Sequence, residues 1–143
     1  MVIDSARRNF LLYCTGIVQS IHLIALVVEL QNIIHDGKSR LLAPAPEMGW
    51  SSMQFAALFI MGTLDMLLIL GFVAYVWMIY LENSQANRIG LAVLSGFQIT
   101  ALAYALVIIP SRAITVHPVN YAIIALAFLP VFLLWIDLLR NKN

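Results

Sequence analysis

The chain has 143 residues, of which 62% are hydrophobic and 10% charged, with a net charge of +1 and a mean hydropathy of +0.93. A soluble domain carries about 25% charged residues, so too few polar side chains are present to cover a water-soluble globule. Disorder and nucleic-acid binding are excluded on the same arithmetic, and a net charge of +1 creates no field to draw in phosphates. The composition is that of a membrane protein.

Hydropathy divides the chain into four apolar stretches, at about residues 9–34, 51–81, 87–110 and 118–139. Each meets the roughly 20 residues that cross a hydrocarbon core about 30 Å thick. Ahead of the first stretch, Arg7-Arg8 echoes a twin-arginine signal and Leu11-Leu12-Tyr13-Cys14 a lipoprotein cleavage box. Tyr13 is too large for the residue before a lipidated cysteine, and no small-x-small site closes a short apolar core. The two arginines are therefore read as charges that hold the N-terminus inside. Cys14 is the only cysteine, which rules out an internal disulfide and leaves the redox compartment unread.

The first loop gathers His35-Asp36-Gly37-Lys38 and Ala43-Pro44-Ala45-Pro46. Ser51 with Gln54 three residues on fits a capping box at the start of the second span. Glu82-Asn83-Ser84-Gln85 is a short polar turn, which makes spans two and three antiparallel neighbours. Pro110 closes the third span, and Pro118 suits the first turn of the fourth, where a missing N–H costs nothing. Pro130 is expected to kink that last span. The fold class is therefore all-α, a four-helix transmembrane bundle running up-down-up-down as a single domain.

Lys and Arg near the spans set orientation. Arg7, Arg8, Arg88, Arg140 and Lys142 fall on one side, and Lys38, Arg40 and Arg112 on the other. That split favours both termini in the cytoplasm, and the plasma (inner) membrane is the expected location. Trp77, Tyr80 and Trp135 then form the inner aromatic belt, and Trp50 and Tyr121 the outer.

Ionisable groups at the centre of a span cost about 2.5–3.5 kcal/mol each, so polar residues there need a reason. Mapped onto the spans, nearly all charges sit at span ends or in loops, except Glu29 and Asp65. In span one Thr15, Gln19, His22 and Glu29 follow spacings of four, three and seven, which keeps them on one helical face. Gln54 and Asp65 share a face of span two, and Ser95 and Gln98 mark the equivalent face of span three. His22, Asp65 and Gln98 each fall near the middle of their own span, within about 3 Å of a common plane. Glu29 lies about 10 Å nearer the first loop. The candidate intramembrane polar site is therefore His22, Glu29, Asp65, Gln98 and Gln19.

Two roles for this plane stay open. It can lock helix register by interhelical hydrogen bonds, worth about 0.6–2 kcal/mol each. Alternatively, His22 and Asp65 form a proton-exchanging or ligand-polarising pair, with Glu29 lining an outward path. Haem ligation lacks a second mid-span histidine, because His35 and His117 fall in loops. Two turns of helix put His22 and Glu29 too far apart to share a metal ion. No cofactor and no metal site is expected. The small residues Gly90, Ser95, Gly96, Ala101, Ala103 and Ala105 are expected to permit close helix approach.

With four spans, a Pro-rich first loop and Ala86-Asn87-Arg88 opening span three, the chain resembles the small four-helix DoxX-like membrane proteins. It also shares an outline with the EXPERA group, in which Glu29-Leu30-Gln31 is similar to an acidic residue followed by glutamine. That group has an acidic residue soon after its Pro-Trp loop, whereas Asp65 comes much later, so no catalytic role is carried across. The resemblance implies fold and membrane location.

For function, two classes are expected. One is a non-enzymatic accessory or structural subunit whose polar stripe locks its bundle or docks other membrane subunits or a second copy. The other is a binding protein or enzyme for a small hydrophobic molecule, such as a quinone, sterol-like or isoprenoid compound, held in an outward-opening pocket. Beyond the lipid bilayer itself, no nucleic acid is expected as a partner.

Overall fold

The computed structural model describes residues 5–37, 44–112 and 118–140. Four helices account for almost all of them: α1 Ser5–Asp36, α2 Ser52–Tyr80, α3 Ala86–Ala103 and α4 Pro118–Arg140. All four are long and apolar enough to cross a membrane, taking α3 together with its continuation to Ile108. The expected all-α, four-helix transmembrane bundle is what the chain forms. Lys38, Arg40, His117 and Lys142 lie outside the described residues.

Two span ends differ from the sequence reading. α1 extends at both ends of 9–34, because Arg7 and Arg8 continue the helix into the headgroup region instead of preceding it. The third span is not a uniform α-helix. After Ala103 it widens into a π-helical turn over Tyr104–Ile108, closed by Ile109 N–H donating to Tyr104 O at 3.1 Å. Such turns concentrate at functional sites. α4 runs through Pro130 without interruption.

The helix ends follow local chemistry. Ser51 Oγ accepts from the Gln54 backbone N–H at 3.2 Å, and the Gln54 side chain accepts from the Ser51 N–H at 2.9 Å. This is the capping box expected from the sequence. Gln54 Nε2 also donates to the Ser111 carbonyl at 3.1 Å, tying the start of α2 to the residues after the third span. Ser51→Ala is expected to cost about 0.5–2 kcal/mol, read as a lower unfolding temperature in detergent. At the other end of α2, Glu82 takes φ +52° in the short turn into α3.

Inside a membrane, apolar side chains gain nothing by leaving lipid, so helices associate through close packing and interhelical hydrogen bonds. The α2–α3 contact uses the first of these. A Cβ on Gly90 would strike the Tyr75 ring, one on Gly96 would strike Leu68, and one on Gly71 would come within 2.9 Å of Val93. Glycine on each helix thus receives a large side chain from the other. The α3–α4 contact adds a hydrogen bond, from Trp135 Nε1 to Ser95 Oγ at 2.9 Å. Ile69, Phe72, Tyr75, Leu94, Phe97, Val131 and Leu134 fill the centre. Side chains such as Ile21, Ile24, Leu67, Leu70, Ile99 and Leu126 face outward, as lipid solvation requires.

Around the bundle, α1 packs on α4, α4 on α3 and α3 on α2, while α1 meets α2 only lightly. The ring has one loose seam. That seam positions the site.

Candidate functional site

The inward face of α1 is polar. Thr15, Gln19 and Glu29 are all buried, and His22 is half-buried on the same side. Across the loose seam, His22 Nε2 lies 3.9 Å from Asp65 Oδ2. That is close enough for an ion pair but too long for a hydrogen bond. Both side chains keep some exposure, 34% for His22 and 22% for Asp65, because the seam beside them is incompletely filled.

On the third helix, Thr100 lies near Asp65, and its hydroxyl donates to the Phe97 carbonyl at 3.1 Å. Tyr104, in the π-helical turn, lies within electrostatic range of both Asp65 and Tyr121 of α4. Thr100 and Tyr104 thus place two hydroxyls of the third span near Asp65. Gln98 is half-buried on the same helix. Its Nε2 is buried and meets no hydrogen-bond acceptor among the described residues.

Glu29 is 5% exposed, two turns from His22. It lies toward the first loop, about 10 Å from the level of the pair. Among the described residues, no group of three metal-ligating side chains is assembled.

Below the His22–Asp65 level, on the side of the chain termini, the seam widens into a groove of about 480 Å³. Gly16, Gln19, Ser20 and Leu23 form one wall. Ile69 to Tyr80 of α2 form the other, with Trp77 and Tyr80 at the mouth. This is the half of the membrane opposite to the outward-opening pocket read from the sequence. The groove lies here because Gly16 and Ser20 are too small to reach α2. A Cβ added to Gly16 would have no atom within 4 Å. Gln19 lines the groove, is 3% exposed, and its Oε1 has no hydrogen-bond donor among the described residues.

A second charged contact was missed by the sequence reading. Arg7 Nη2 donates to Asp137 Oδ1 at 3.0 Å, joining the first turn of α1 to the last turns of α4. Asp137 is buried, whereas Arg7 is 54% exposed. The signal was present: Asp137 falls inside the fourth span, on the same side of the membrane as Arg7. Arg8, next along, lies near the fully buried Tyr75.

These features define an integral membrane protein: a four-helix bundle with a polar cluster at mid-depth and an apolar groove leading from it. No protein-family model, curated protein or solved structure matches the chain. The DoxX-like and EXPERA-like resemblances accordingly rest on the order of spans and a few side chains.

Proposed function

We propose that this protein binds a small hydrophobic molecule drawn laterally from the bilayer into the α1–α2 groove. One observation carries the reading. A cavity of about 480 Å³ has an almost wholly apolar lining, and at one end it meets the buried Gln19, whose Oε1 has no hydrogen-bond donor among the described residues. Ligand sites commonly have volumes of about 300–1,000 Å³, with apolar walls and a few convergent polar groups. Arg7, Arg8, Arg88 and Arg140 all lie at the groove's end of the bundle and Arg112 at the other. That distribution supports cytoplasmic termini, with the groove in the cytoplasmic leaflet.

The test fills the groove without touching the core. Val73 and Val76 line it and project outward from α2. Val73→Trp and Val76→Trp are expected to abolish co-purification of the bound molecule in native mass spectrometry, while the unfolding temperature stays within a few degrees. Undiminished occupancy in both variants, or no bound molecule in the unaltered protein, overturns the reading.

A second reading follows from Gly16 and Ser20. Small residues one turn apart on an open helix face allow a helix of another subunit to approach closely, as an accessory or structural subunit requires. Ser20→Cys cross-linking in native membranes separates the two. Capture of a second polypeptide at this position, with no lipid-soluble molecule bound, favours subunit docking.

A further inference from the structure

Resting on the reading of the groove as a binding site, we infer the class and direction of its ligand: a single apolar chain ending in a neutral hydroxyl, bound with that hydroxyl at mid-membrane. Its tail points toward the chain-terminal surface. This is the reverse of an ordinary lipid, whose head stays at the interface.

The direction follows from where the polar groups lie. Gln19 stands at the inner end of the groove, near the middle of its helix, and the His22–Asp65 pair lies just beyond that end. From Ile69 to Tyr80 the groove follows α2 for about 16 Å, roughly one leaflet of a 30 Å core. Along that length the α2 wall is aliphatic and aromatic. A phospholipid placed there with its head outward would leave the Gln19 carboxamide facing only hydrocarbon. A buried polar group without a partner costs about 1–3 kcal/mol, and a polar head at the inner end removes that cost.

The charge of the head follows from the lining. All ten residues that line the groove are uncharged. Arg7 belongs to the opposite end and is engaged by Asp137. A carboxylate or phosphate at mid-membrane would have no cation among the lining side chains, and unpaired charge in hydrocarbon is strongly disfavoured. The only ionisable neighbours, His22 and Asp65, face each other across the seam. A hydroxyl both donates and accepts. It therefore suits Gln19, whose carboxamide offers either end on rotation of its terminal torsion.

The experiment uses the full chain in phosphatidylcholine nanodiscs with three photoreactive probes. Two are hexadecanol with a diazirine beside the hydroxyl or at the far end of the chain; the third is hexadecanoic acid with the diazirine at its far end. The first probe is expected to label Gln19, Leu23 and Ile69, and the second Val76, Trp77 and Tyr80. Labelling by the acid is expected to be about tenfold weaker. Gln19→Leu is expected to weaken hexadecanol labelling about tenfold, and the label positions in the unaltered protein need no variant at all. A reversed pattern, or equal labelling by the acid, overturns this inference while leaving the groove as a binding site. Absence of groove labelling by every probe overturns the binding reading itself.

Discussion

Replacing Gly90 with leucine is expected to prevent the bundle from assembling. The Tyr75 ring occupies the space that a side chain at Gly90 would need, and Tyr75 is fully buried between α2 and α3. Neither helix can yield cheaply, because Gly71 against Val93 and Gly96 against Leu68 hold the same two backbones close over the next two turns. Overpacking a filled contact costs about 1–3 kcal/mol and sometimes more. Leucine adds four carbons where even the first one clashes, so the upper end applies. The check is monodisperse yield and unfolding temperature in detergent. Gly90→Ala is expected to be milder, and adding Tyr75→Val should restore most of its loss by vacating the space. If Gly90→Leu leaves stability unchanged, the α2–α3 contact is not the close packing described above.

Arg7→Ala is expected to be the second most damaging change, and more so than Asp137→Asn. The two residues share one ion pair, but the consequences of breaking it differ by side. Loss of Arg7 leaves the buried Asp137 carboxylate without this cation, near the membrane boundary. Loss of the Asp137 charge frees an arginine that is already half exposed and can turn to water or headgroups. Breaking a fully buried pair costs about 3–5 kcal/mol. With Arg7 half in solvent, about 1–3 kcal/mol is the appropriate range for Arg7→Ala. Unfolding free energies of the two variants measured side by side check the asymmetry. Equal losses would show that the pair acts as a surface contact.

Much of the fold was legible before any coordinate. The spans follow from composition and length, because a bilayer accepts little besides apolar helices. The capping box at Ser51 is local chemistry, so a short window of residues suffices to see it. The candidate site was legible only in part. Depth along a helix can be counted, and it brought His22 and Asp65 to one level. Rotation about the axis relative to a neighbour cannot be counted without knowing the packing, and Thr100 and Tyr104 went unnoticed for that reason. Asp137 was passed over because a charge three residues from Arg140 reads as belonging to the span's end. Its burial against Arg7 depends on α1 and α4 being neighbours.

What the sequence by itself determined is the solvent and the architecture: a chain this poor in charge must live in lipid, and each span long enough to cross must be a helix. What only the tertiary structure decided is which seam stays loose. Gly16 and Ser20 leave room between α1 and α2, whereas the glycines of α2 and α3 are filled by Tyr75, Leu68 and Val93. Small residues read alike in sequence. Whether each becomes a tight contact or a cavity depends on what the facing helix places opposite it, and that is a property of the pair.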